Sequence, residues 1–182
     1  MLCSYQSLRL KGAKRRRLSM YKKILAAIEN SPRGDQIFAH ALELAEITKS
    51  ELKLVNVLSQ EEEYGPVFQG ISTLDYYPAL YDDLMQKYRK AWEDFLLNTR
   101  NRLENLTNQG QLRGVPTTYS QNYGSPGRTI CEVAQDWEAG LIVMGHRGLK
   151  GISELIQGSA SNYVMHNAKC SVLILKLPSL EE

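Results

Sequence analysis

Five short apolar or β-branched runs alternate with helix-type stretches along this chain, and that rhythm limits the possible folds more than any other feature. Lys23–Ile28, Glu51–Leu58, Val115–Gln121, Leu141–Gly145 and Ser171–Lys176 read as strands. Between them, apolar residues recur at helical spacing. Ile37, Phe38, Ala41, Leu42 and Ala45 mark a helix capped by Asp35 and ending near Thr48. A long helix runs from about Leu80 to Gln109 and stops at Gly110. Its stripe of Leu84, Tyr88, Ala91, Trp92, Phe95, Leu103 and Leu106 faces the core. A third helix opens at Gly124-Ser-Pro126, with Ser125 as cap and Pro126 in the first position, and carries Ile130, Val133, Ala134 and Trp137. A fourth runs from Ser159 to Asn167.

Strands that alternate with helices are parallel and joined by right-handed crossovers. Leu141–Gly145 is almost wholly apolar, as a strand covered on both faces must be. Val115–Gln121 alternates and is less apolar, which suits an edge. The expected fold is α/β: a single doubly wound five-stranded parallel sheet with helices on both faces. Ser59 to Ala79 shows no period, and a loop of that length is usually functional or mobile.

Charge divides the chain. Residues 1–19 hold six of the 22 Lys and Arg and no acid, leaving 16 basic against 20 acidic residues for the rest, a net −4. Residues 1–19 are read as a basic, disordered extension, 20–178 as the domain and 179–182 as a tail. The domain has no bulk charge that favours nucleic acid. The extension could touch RNA or anionic lipid, or simply be solvated, and Met20 is an alternative start. There is no apolar run long enough to span a bilayer and no secretory h-region. Cys3, Cys131 and Cys170 fit neither a disulfide framework nor a zinc spacing, so a reducing, cytoplasmic setting is expected, with Cys131 and Cys170 packing in the core.

The candidate site lies after the fourth strand. Gly145-His-Arg-Gly148 is followed by nine residues and then Gly158-Ser159. Glycines let backbone approach a ligand closely, and the free N–H groups of a helix beginning at Ser159 attract anions. Such a loop, with a strand before it and a helix after it, reads as a phosphate cradle. Its Gly-x2-Gly-x9-Gly-Ser spacing, with Lys23–Ile28, Gly124-Ser-Pro126 and Ser171–Lys176, resembles the ATP-binding signature of the universal stress protein family. The resemblance runs from about Tyr21 to Lys176.

That resemblance implies strand order 3-2-1-4-5, with the switch point between strands one and four, where such sheets bind ligands. It implies that Gly145, Gly148, Gly158 and Ser159 hold a triphosphate, with Ala160 and Ser161 continuing the helix start. Val57 matches the position that meets adenine through backbone, Ala27 and Ile28 line base and ribose, and Met144 stands on the adenine side or is simply core. Glu29 stands where the family usually has Asp and would accept from ribose hydroxyls or base N–H groups. Arg147 either neutralises phosphate or is a surface side chain. No His, Cys and carboxylate cluster suggests a protein-held metal, so Mg²⁺ would arrive with ATP.

The implied function is an ATP-binding regulatory module of the stress response. It would dimerise through strand five, whose Val172–Leu175 edge is too apolar to leave bare. A slow ATPase and a nucleotide-free scaffold are the alternatives, and AMP or cyclic AMP could replace ATP. There is no Walker lysine, and Glu29, Arg147 and Lys150 are the only groups offered for turnover.

Overall fold

The computed structural model describes residues 21–59, 65–66, 78–146 and 159–177. The expectations for the basic extension, for most of the Ser59–Ala79 stretch, for Arg147, Gly148, Lys150 and Gly158, and for residues 178–182 lie outside the described residues.

The elements follow the expected alternation: β1 Lys23–Ala27, α1 Pro32–Thr48, β2 Glu51–Leu58, α2 Pro78–Leu112, β3 Thr117–Tyr123, α3 Pro126–Asp136, β4 Leu141–Gly145, α4 Ser159–Asn167 and β5 Ser171–Leu175. The sheet order is β3-β2-β1-β4-β5, and every pairing is parallel. β1 lies at the centre, with Ile24 opposite Leu52 on one side and Leu141 on the other.

Alternation along the strands divides the core into two layers. Ile24 and Ala26 of β1, Leu52 and Leu54 of β2, and Leu141 and Val143 of β4 face α1 and α2, where Ile37, Phe38, Leu42, Leu103 and Leu106 cover them. Leu25, Val55, Val57, Ile142 and Met144 face the other way, toward Ile130 and Ala134 of α3 and Val164 of α4. Ile24, Leu25, Ile142 and Val143 are fully buried, and burial of such side chains contributes about 1.5–3 kcal/mol each. At the amino end of the sheet, Trp137 is flanked by the Lys23 and Lys53 ammonium groups at 5.5 and 5.4 Å from its ring centre.

Four local expectations need correction. Helix α1 starts earlier: Ser31, not Asp35, is its cap, accepting from the Gly34 N–H at 3.4 Å, with Pro32 at the first position. Asp35 lies in the first turn and pairs with Arg102. Helix α2 does not stop at Gly110 but continues to Leu112, and the chain turns at Gly114 with φ 78°. Gly110 is there for contact. A Cβ at this position would lie 2.2 Å from Thr117 Oγ1 and 2.9 Å from Thr117 Cβ, so the helix crosses β3 at a distance only glycine permits. In the stripe of α2, Leu103 and Leu106 are core, whereas Leu84, Tyr88, Trp92 and Phe95 are half-buried and Ala91 is exposed. Tyr88, Trp92 and Phe95 instead stack edge to face along the helix. Finally, β3 is the edge strand, as expected, but is shifted to Thr117–Tyr123, because Val115 bonds back to Gly110 O instead of joining the ladder.

Cys131 and Cys170 are half-buried against the α3 and α4 core layer. Burial raises the pKa of both thiols, and the nearby Cys170 and Glu132 charges push Cys131 the same way. A raised pKa means less thiolate at any pH below it. Iodoacetamide is therefore expected to label both thiols of the native protein more slowly than a free peptide thiol between pH 7 and pH 9, and equally fast once urea unfolds the chain.

Gly110→Ala inverts the usual helix preference. In an open helix the change stabilises by about 1 kcal/mol; against Thr117 it is expected to cost about 1–3 kcal/mol through overpacking, read as a lower urea midpoint with an unchanged slope. A stabilised variant would show that the helix–strand contact is loose.

Candidate functional site: a crevice at the carboxyl ends of β1 and β4

Helix α1 leaves β1 toward one face of the sheet, and α3 enters β4 from the other. Between their departures the carboxyl ends of β1, β2 and β4 are left without a crossover above them. A half-open crevice of about 180 Å³ lies there. Its floor is Ala27 and Ile28 of β1, Val55 and Val57 of β2, and Met144 and Gly145 of β4. Pro126 and Ile130 of α3 form one wall, Ile37 of α1 another, and Ser159, Ala160 and Ser161 at the start of α4 a third.

Nine of the twelve residues expected at the site line this crevice: Ala27, Ile28, Glu29, Val57, Met144, Gly145, Ser159, Ala160 and Ser161. Arg147, Gly148 and Gly158 lie outside the described residues. Ile37, Val55, Ser59, Pro126, Ile130 and His146 line the crevice as well and were not expected there. Two of them carried a signal. Val55 shares the face of β2 with Val57, two residues on, and Ile130 is one turn after Pro126, whose place near the switch point follows from the strand order. His146 continues the sheet through its backbone, donating to Leu175 O at 3.0 Å.

Two helices point their amino ends at the crevice. Gly127, in the first turn of α3, lies so near α4 that a Cβ there would be 2.8 Å from Tyr163 Cβ and 3.1 Å from Ala160 O. This contact brings the starts of α3 and α4 together beside Gly145. Ser125 makes no side-chain cap on α3, and Ser159 is the first residue of α4. First-turn N–H groups have no partner within their own helix, and the helix dipole is positive at that end. The wall at the start of α4 thus suits an anion, and the apolar surface of Val55, Val57, Ile130 and Met144 suits a flat ring. Glu29 is the one carboxylate among the described lining residues, at the exit of β1.

No group of three or more His, Cys, Asp or Glu that could hold a metal exists among the described residues. No helix among them is long and apolar enough to cross a membrane.

The sequence profile described as "Universal stress protein family" matches residues 20–176. Universal stress protein Sll1388 of Synechocystis sp. is 33% identical over 159 residues, covering 86% of this chain and 98% of that protein. A solved universal stress protein in complex with cAMP superposes with a TM-score of 0.58 at 19% identity, covering 86% of this chain and 98% of that one. One from Archaeoglobus fulgidus in complex with dAMP gives 0.53 at 17% identity, covering 86% and 99%. The two structures share the fold, and the matching of profile and relative across nearly the whole described chain means that this protein belongs to the universal stress protein family.

Proposed function

We propose that the crevice binds an adenine nucleotide, ATP with Mg²⁺ foremost, and that the protein is a dimeric regulatory module of the stress response. The observation that carries this reading is the convergence of the apolar floor and the α4 amino end on one crevice at the switch point. The solved relatives in complex with cAMP and dAMP support it, since both ligands are an adenine, a ribose-type sugar and a single phosphate. In this chain the base would lie over Val55, Val57 and Met144, next to Ile130. The ribose would sit near Ala27, Ile28 and Glu29. Phosphate would meet the amides at the start of α4 and the Ser159 hydroxyl, with Gly145, Arg147, Gly148 and Gly158 forming the rest of the cradle. Mg²⁺ would be held mainly by the phosphates and its own waters.

The dimer reading rests on β5. It is an edge strand with an alternating exposed and half-buried pattern, and Leu173 is 39% exposed. A bare apolar edge invites pairing, and a two-fold mate would cover it without propagating into a fibre.

Nucleotide released on denaturing the purified protein is expected to be adenine-containing by mass spectrometry. Ser159→Ala is expected to weaken AMP and ATP by about tenfold, the worth of one hydrogen bond to a charged group, and to leave adenosine unchanged. Equal loss for adenosine, or no loss for ATP, would contradict the phosphate assignment. Leu173→Arg sets like charges against each other across the two-fold edge and is expected to yield monomers in sedimentation; an unchanged dimer would move the interface elsewhere.

A further inference from the structure

The turn that carries Glu29 is held from outside by a helix to which sequence reasoning gave no part in the site. Arg102 of α2 reaches across with one guanidinium. Nη1 donates to Glu29 O at 2.9 Å, and Nη2 donates to Ser31 O at 2.7 Å and to the Asp35 carboxylate at 2.7 Å. One turn earlier on the same helix, buried Thr99 accepts from Asn30 Nδ2 at 3.1 Å while its hydroxyl donates to Phe95 O at 2.8 Å. Each residue of Glu29–Asn30–Ser31 is therefore tied to α2. The preceding carbonyl, Ile28 O, accepts from the fully buried Asn56 Nδ2 at 2.9 Å.

The holder is itself rigid. Arg102 adjoins Leu103, which is 1% exposed, and lies one turn before Leu106, so the backbone that carries it is seated in the core. Its side chain is only 24% exposed. Bonds from a charged donor held in this way are stronger than neutral ones, and a planar guanidinium fixes two acceptors in one orientation where an ammonium cannot.

We infer that Arg102 is a positioning residue for nucleotide recognition: it locks the β1–α1 turn so that Glu29 faces the ribose end of the crevice. The inference rests on the reading that the crevice takes an adenine nucleotide. It assigns Arg102 no contact with the ligand. The Arg102–Asp35 ion pair is half exposed and contributes little to this role; the two carbonyl contacts carry it.

Calorimetric titration of AMP, ATP and 2′-deoxyAMP into the full chain tests the assignment, with thermal melting of each variant in the absence of ligand. Arg102→Met is expected to weaken AMP and ATP by about tenfold. It should also bring the AMP to 2′-deoxyAMP affinity ratio toward one, because a mobile Glu29 no longer discriminates the 2′-hydroxyl. Arg102→Lys, which keeps charge but reaches only one carbonyl, should fall between. Asp35→Asn removes the ion pair and leaves the carbonyl contacts, so it should keep the wild-type ratio. Should Arg102→Met not fold, Thr99→Val, which frees only Asn30, should lower the ratio in the same direction. Wild-type affinity and ratio in Arg102→Met, or a change in Asp35→Asn as large as in Arg102→Met, overturns the positioning role. A wild-type chain that binds none of the three nucleotides sinks the nucleotide reading itself.

Discussion

The central strand governs this molecule. β1 is five residues long, yet it is paired on both edges, with β2 and with β4, and it is where the sheet changes direction of growth. Right-handed crossovers then leave no freedom. The connections that build outward to β2 and β3 carry α1 and α2 onto one face, and those that build to β4 and β5 carry α3 and α4 onto the other. Neighbouring connections separate over the ends of β1 and β4, so the crevice is a consequence of strand order and needs no dedicated structure of its own. Ala27, the small last residue of β1, keeps the floor low there.

What fills the walls follows from the direction of the strands. In a parallel sheet every helix that follows a strand starts at the same end of the sheet. The amino ends of α3 and α4 therefore arrive beside the crevice with the positive ends of their dipoles, while the strand residues beneath remain those of an apolar core. One side of the cavity is suited to negative charge and the other to a ring, and the two are only a few residues apart. The close contact at Gly127 brings this asymmetry to a single point.

Much of this was legible because it depends on patterns that tertiary packing seldom overrides. β2, β4 and α4 have the expected bounds, since apolar runs bounded by breakers leave little choice. One error arose where two residues compete for one role. Asp35 and Ser31 can both cap a helix, and the Pro32 that follows Ser31 decides between them by favouring the first helical position. Gly110 has the composition of a helix end, but it exists because Thr117 comes within contact distance, a fact about a neighbouring strand that no local pattern contains. The stripe of α2 kept one period over its length while only its carboxyl half reached the sheet, because periodicity reports a face and not what lies against it. In the site, floor residues followed from the strand order. Arg102 could not, since it acts across 73 residues of chain through main-chain carbonyls, which carry no sequence signature.

That last point has a physical basis. A strand leaving a sheet loses its ladder partners, yet its carbonyls still need donors if they are not to face a hydrophobic interior bare. Water could satisfy them, at the cost of a mobile turn. Here the chain satisfies Ile28 O from Asn56, and Glu29 O and Ser31 O from Arg102 together with the local N–H groups of Ser31 and Gly34. The side-chain donors to these three carbonyls come from β2 and α2, on the side of the turn away from the crevice. A turn can thus be as fixed as the strand before it without belonging to any regular element, provided donors reach it from behind.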